Sequence, residues 1–269
     1  MSRRGRSATA PPWPVAVPAA FALAFLALPL LALLVRAPWG RMWSVLTSPT
    51  SLDALRLSLV TATSATVVSF VVGVPLAWIL ARAVFPGRRL ARALVTVPLV
   101  LPPVVGGIAL LLAFGRRGMV GQYLDSCCGI TLPFTTPGVV VAEAFVAMPF
   151  LIITVEGALR SLDTGLEDAA ATLGAGRLEI FRRVTLPLIA PSLIAGGVLT
   201  FARALGEFGA TITFAGNLPG VTQTLPLAVY VGLEGDPSEA VALSLVLLAV
   251  SVLVLVLLRD RWLRTGAAA

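Results

Sequence analysis

Six stretches of about twenty mostly apolar residues recur along the chain, at roughly 14–35, 57–81, 93–114, 138–158, 191–214 and 239–258. A helix of that length, rising 1.5 Å per residue, matches the ~30 Å hydrocarbon core of a bilayer. Inside lipid every backbone N–H and C=O must be bonded within the chain, so each run is expected to be an α-helix. The sequence therefore predicts an all-α integral membrane protein with six transmembrane helices. Composition agrees: 58% of residues are hydrophobic and 12% charged, against about 25% charged in a soluble domain.

All twenty basic residues are Arg, and there is no His. That removes the usual proton shuttle and the commonest metal ligand. The net charge of +7 raises the question of nucleic acid. The arginines cluster at the ends of apolar runs instead, so the positive-inside rule accounts for them and no nucleic-acid partner is expected. One set of connections carries Arg3, Arg4, Arg6, Arg82, Arg88, Arg89, Arg92, Arg160, Arg177, Arg182, Arg183, Arg259, Arg261 and Arg264. The other carries Arg36, Arg41, Arg56, Arg116 and Arg117, while Arg203 lies within a run. This bias puts both termini and the polar segment at about 160–188 in the cytoplasm, and Cys127 and Cys128 outside. Trp13, Trp39, Trp43, Trp78 and Trp262 fall at or near run ends, as interfacial aromatics do. The first run is long for a signal-peptide core and lacks a clean small-x-small cleavage site, so it reads as a retained helix.

The two cysteines are adjacent and have no metal-ligand spacing, which makes them ordinary wall or loop residues. Pro98, Pro102 and Pro103, with Gly106 and Gly107, interrupt the third run. Proline removes a backbone donor, and such breaks survive in a membrane where protein or a water-filled cavity surrounds them. A packing kink and a pathway wall both fit. No internal repeat, second domain or Gly-x-x-x-x-Gly-Lys-Ser/Thr phosphate loop is present, so energy has to come from another chain. The chain reads as one transmembrane domain, 1–269, with a first helix at about 14–35 and a core at about 50–260.

Between the fourth and fifth runs Leu162, Leu166, Ala169, Ala170 and Leu173 recur at helical spacing. Asp163 can cap this helix, and Gly174 can end it in a left-handed turn. Residues 177–184 offer a second short helix with Leu178, Phe181 and Val184 on one side. Pro187 and Pro191 then mark the start of the fifth span. Spacing alone leaves two readings: a helix-turn-helix inserted into a partner's groove, or an amphipathic linker on lipid headgroups.

Asp168-Ala169-Ala170, three residues, Gly174, nine residues, Val184, one residue and Leu186-Pro187 resemble the EAA motif of permease subunits of bacterial ATP-binding cassette importers. Asp168 stands where Glu is usual, with Glu167 just before it, and Val184 replaces Ile. The resemblance implies that Glu167, Asp168, Ala169, Ala170, Gly174, Val184, Leu186 and Pro187 couple the chain to an ATPase. Which of the two acids contacts the ATPase stays open.

Within the membrane, Arg203 and Glu207 are four residues apart and can pair on one helix face. Ionisable groups at that depth usually face the bundle interior. A structural ion pair and a pathway wall both fit. Gly206 and Gly209 allow close helix approach. Arg203-Ala-Leu-Gly-Glu-Phe-Gly-Ala-Thr211, Phe214-Ala-Gly-Asn217 and Thr222-Gln-Thr-Leu-Pro-Leu-Ala228 resemble molybdate permeases of the same superfamily. Pro98-Leu-Val-Leu-Pro-Pro103 and Phe114-Gly-Arg-Arg-Gly118 are similar to that group too. Sulfate permeases are related, with Tyr and Ser where Phe208 and Ala210 stand.

This resemblance implies the type I importer permease fold in a bacterial cytoplasmic (inner) membrane. It implies a homodimer with a pathway along its axis, for which Arg203, Gly206, Glu207, Gly209, Thr211, Thr213 and Asn217 are candidate lining. Two separate ATPase subunits would bind ATP and Mg, leaving this chain without cofactor, metal or catalytic residue. An extracytoplasmic binding protein would supply the oxyanion, molybdate or tungstate, with sulfate or thiosulfate as the alternative. An ion-coupled secondary transporter, the competing class, needs acids within spans, for which Glu143, Glu156 and Glu207 are candidates. A membrane enzyme is disfavoured, because no His and no nucleophile–base pair is available. The topology is checked by reporter fusions near residue 125 and at the C-terminus, which are expected to report opposite sides. Same-side signals would overturn it.

Overall fold

The computed structural model describes residues 13–265, so Arg3, Arg4 and Arg6 lie outside the described residues. The elements run α1 (Trp13–Val35), α2 (Met42–Leu46), α3 (Pro49–Arg82), α4 (Arg88–Val100), α5 (Pro103–Phe114), α6 (Gly121–Cys128) and α7 (Thr136–Ser161). They continue with α8 (Gly165–Thr172), α9 (Arg177–Ile180), a π-helical turn at Phe181–Thr185, and α10 (Leu186–Leu205). The last three are α11 (Gly209–Phe214), α12 (Leu225–Glu234) and α13 (Pro237–Thr265). No strand occurs among the described residues.

α3 and α7 form the central pair, and α10 packs against both. The reason lies in the inward stripe of α3, which is Ser51, Ala54, Ser58, Thr61, Ala62, Ala65, Ser69, Gly73 and Ala77. Small residues three and four apart let two backbones approach closely, the usual basis of helix association in lipid. The facing residues of α7 include Ala144 and Ala147, which cluster with Ala62 and Ala65. Larger side chains fill the half toward the C-terminal ends of α3 and α7, where Leu80, Leu151, Ile152, Val155, Leu159 and Ile189 form one core cluster. α1 instead buries no residue and leans on α13.

The count of six spans needs correction in its details. Among the described residues, five helices are long and apolar enough to cross a membrane: Trp13–Val35, Pro49–Arg82, Thr136–Ser161, Arg177–Leu205 and Pro237–Val254. The expected third span, 93–114, is two helices broken at Leu101 and Pro102. Both of those residues are extended, with ψ of 130° and 131°. Each precedes a proline, whose ring excludes helical geometry from the residue before it. The expected fifth span, 191–214, also divides. α10 ends at Leu205, and Gly206–Phe208 turns the chain into α11.

A second correction concerns the helix expected at 177–184. It is not separate, because Arg177–Leu205 runs as one continuous helix through the π turn. Pro187 has no N–H to give to the Arg183 carbonyl. The ladder slips by one residue to accommodate it, and the Leu186 N–H reaches back to the Phe181 carbonyl. Pro187 and Pro191 therefore sit inside the helix, beyond its start.

α11 lies against α5 at very short range. A Cβ on Gly107 would overlap the Thr213 side chain and lie 2.9 Å from the Ala210 carbonyl oxygen. Gly157, in contrast, has nothing within 4 Å of such a Cβ. Gly107→Val is expected to destabilise the protein by about 1–3 kcal/mol, the usual cost of overpacking. Gly157→Ala is expected to be neutral or stabilising, because alanine favours helix. Thermal melts in detergent check the contrast, and equal melting temperatures would refute the close packing.

Candidate functional site: a coupling segment and a polar helix break

At the end of the bundle formed by the C-terminal ends of α3 and α7, α8 and the turn after it stand off the bundle. No residue of α8 is buried. Leu166 is half exposed, and Leu173 and Leu178 are largely exposed. Asp163 does not occupy the cap position itself. Thr164 holds that place, and Asp163 accepts the Gly165 N–H at 2.9 Å from one residue upstream. The helix ends as glycine permits. Gly174 has φ of +89°, the Ala175 N–H donates to the Ala170 carbonyl, and the Gly174 N–H donates to the Ala171 carbonyl. These are the paired bonds of a Schellman ending.

The other proposed coupling residues are spread along this surface. Asp168, Ala169 and Gly174 are exposed, Ala170 and Val184 partly so, and Leu186 and Pro187 are exposed at the foot of α10. Glu167 differs: its Oε1 accepts the Arg82 guanidinium at 3.1 Å and the Thr185 hydroxyl at 2.7 Å. The sequence reading missed Arg82 and Thr185, since neither carries a motif. Beside them, Arg88 donates to the Leu80 and Ala81 carbonyls and Arg92 to the Leu80 carbonyl, closing the end of α3. Arg92 also pairs with Glu156 at 2.6 Å, and Arg160 lies 3.9 Å from the same carboxylate.

The second site is the break between α10 and α11. Glu207, 1% exposed, has two partners. Its Oε2 pairs with Arg203 Nη1 at 2.6 Å, and its Oε1 accepts the Ala210 N–H at 2.7 Å. The carboxylate thus neutralises the arginine and caps the short helix that follows it. Of the residues proposed to line a pathway, Glu207, Gly209 and Thr211 are buried within this one chain. Gly206 is exposed, while Arg203, Thr213 and Asn217 are partly exposed. The Thr213 hydroxyl donates to the Gly209 carbonyl at 2.8 Å.

Two further polar contacts hold the opposite half of the bundle together. Glu143, fully buried, accepts the Thr61 hydroxyl at 2.9 Å, and its Oε2 has no partner among the described residues. Ser58 Oγ accepts the Leu225 N–H at 2.6 Å and so satisfies the start of α12. On the loops, Asp236 accepts the Ser238 N–H and the Arg41 guanidinium, which together hold its carboxyl below the usual carboxylate range. The neighbouring Cys127 thiol pushes the exposed Cys128 thiol up, which lowers its thiolate fraction.

Residues 73–265 match the family of binding-protein-dependent transport system inner membrane components. The chain belongs to this family. As a permease, it is 51% identical to the molybdenum transport system permease protein ModB of Mycobacterium tuberculosis over 244 residues, 91% of this chain and 92% of that protein. It is 43% identical to the Escherichia coli ModB over 219 residues, 81% and 95% of the two chains. It is 42% identical to the sulfate transport system permease protein CysT of Salmonella typhimurium over 239 residues, 87% and 86%. The fold is also that of solved permeases. A bacterial transporter importing the acidic polysaccharide alginate superposes with a TM-score of 0.73 at 18% identity, over 96% of this chain and 95% of the other. A bacterial alginate transporter in complex with an alginate pentasaccharide-bound periplasmic protein gives 0.74 at 18% identity, over 91% of each chain.

The Arg203–Glu207 pair makes a testable distinction. If it is structural, Arg203→Ala and Glu207→Ala should each lower the melting temperature. The double variant should be more stable than the sum of the singles predicts, since coupling within a contacting pair is about 0.5–3 kcal/mol. Glu207→Ala is expected to cost more, because it also removes the cap of α11, worth about 1 kcal/mol. A melt and uptake cycle on the four proteins checks this. Unchanged stability with lost transport would move the pair to the pathway.

Proposed function

We propose that this permease is the membrane subunit of an ATP-driven oxyanion importer that carries molybdate. The observation that carries the reading is the 51% identity to a molybdenum permease over nine-tenths of the chain. In this reading the permease works as a homodimer in the inner membrane, with both termini in the cytoplasm. Two separate ATPase subunits and an extracytoplasmic binding protein complete it. The ATPases bind ATP and Mg, and this chain carries no cofactor.

Residues 165–187 are the coupling surface. Their exposed Leu166, Leu173 and Leu178 form an apolar stripe that a partner's groove would cover. Movement of the ATPases shifts this segment and, through the continuous helix Arg177–Leu205, tilts the span attached to it. The pathway along the dimer axis has to be polar but only weakly attractive, since tight binding would stall release. The pairing of Arg203 with Glu207 supports this, because it leaves that arginine without a free charge to trap an anion. The affinity then belongs to the binding protein.

Tungstate is expected to share the route, being nearly the same size and charge. A second reading, sulfate or thiosulfate import, rests on the 42% identity to CysT. An ion-coupled transporter is disfavoured by the match to binding-protein-dependent transport components, and two of its three candidate acids, Glu156 and Glu207, are tied to arginines.

Labelled molybdate is expected to enter vesicles only when the ATPase, ATP and binding protein are all present, with tungstate competing well and sulfate poorly. Preference for sulfate would overturn the substrate, and uptake without any ATPase would overturn the class. Gly174→Val forces a β-branched residue into φ of +89°, a strain of about 1–3 kcal/mol. Uptake should drop at least tenfold while the protein still inserts. Wild-type uptake by this variant would remove the coupling role from the segment.

A further inference from the structure

The two neighbouring acids of the coupling segment face opposite ways. Glu167 turns toward its own chain, with 22% of its side chain exposed, and meets Arg82, itself 20% exposed. Asp168 is exposed, and its side chain has no ion pair or hydrogen bond among the described residues. Successive helical positions lie about 100° apart, so one acid facing the bundle turns the next one outward.

α8 has little else to hold it. It is eight residues long with none buried, about 12 Å of helix at 1.5 Å per residue. A short linker precedes it, and Gly174 with φ of +89° follows it. Its side-chain hydrogen bonds to other elements, among the described residues, are the two at Glu167 Oε1. One comes from Arg82, the last residue of α3, at 3.1 Å. The other comes from Thr185, at the end of the π turn, at 2.7 Å. The contact continues inward. Arg92 holds the end of α3 through the Leu80 carbonyl and grips Glu156 of α7 at 2.6 Å. A charge-assisted bond of this kind is short and directional, so it can transmit displacement as well as energy.

We propose that Glu167 is a positioning residue, a strut that carries movement of α8 into the cytoplasmic ends of α3 and α10, and that Asp168 is the acid offered to the ATPase. This rests on the reading of the chain as an ATPase-driven permease. Without the strut, α8 pivots on its linkers and the work of the ATPase is lost before it reaches the central helices. Arg82 and Thr185 are then part of the coupling machinery, although neither belongs to the motif.

The test uses the complete transporter in proteoliposomes, with its ATPase, its binding protein and labelled molybdate. Three readouts are taken: co-purification of the ATPase, anions moved per ATP hydrolysed, and hydrogen exchange of the α8 amides in the permease. D168N is expected to lower ATPase co-purification several-fold. E167Q is expected to keep co-purification within about twofold and move at least fivefold fewer anions per ATP. Its α8 amides should exchange faster. The single variants R82E and E167R should behave as E167Q does, and the swap R82E/E167R should recover at least half of the ratio and the α8 protection. Loss of the ATPase from E167Q to the extent seen for D168N would overturn the proposal. So would a swap no better than either single variant. Absence of ATP-dependent uptake by the wild-type complex would instead remove the importer reading, while the exchange data would still report whether the strut holds α8.

Discussion

The spacing between α3 and α7 governs the rest of this structure. Lipid tails are as apolar as leucine, so burial against lipid gives helices little reason to associate. Close contact does, and the row from Ser51 to Ala77 on α3 makes it available over most of the helix. At about 1.5 Å per residue the 34 residues of α3 extend roughly 51 Å, well beyond a ~30 Å hydrocarbon core. The central pair therefore reaches past the membrane. Its far end, Leu80 to Arg82, becomes the platform on which Arg88, Arg92 and Glu167 assemble.

The same constraint explains the polar side chains inside the bundle. Each break in a helix leaves backbone N–H groups that water cannot reach. Glu207 caps α11, Ser58 caps α12, and Thr222 Oγ1 accepts the Leu218 N–H at 2.8 Å. These residues make short helices possible at membrane depth. A buried carboxylate is costly unless it is paired and hydrogen-bonded, and Glu207 meets both conditions at once. The arginine that balances it comes from the last turn of α10.

Much of this was legible in the sequence, and the limits have a physical cause. Apolar length gives the long helices, because the bilayer allows few alternatives. Gly174 announces its own left-handed turn, and the proline pairs announce a break between Val100 and Pro103. The fifth run misled, since Phe201 to Phe214 remains apolar enough to read as one span. Only the three-dimensional position of Glu207 shows that the chain turns there. The π turn was hidden for a related reason: Pro187 marks a lost hydrogen bond, but a helix can stop at such a loss or slip past it. Glu167 and Asp168 were indistinguishable because a motif records residue type along the chain. Which acid turns inward depends on where Arg82 and Thr185 sit, at separations of 85 and 18 residues.

Phe208 and Ala210, where the resemblance to sulfate permeases implies Tyr and Ser, sit in packing. The Phe208 ring lies 5.2 Å from that of Tyr230. Ala210 is fully buried in the cluster of Leu110, Ala142, Val146 and Phe214. A serine at 210 would bring a hydroxyl into that cluster, where it would need an acceptor such as the carbonyl one helical turn back. A tyrosine at 208 would add a polar group beside Tyr230. Either change acts on how α11 seats against α5 and α7. In this chain both positions therefore concern the fit of a helix. This fits the proposed function, in which the binding protein selects the anion and the permease supplies the path.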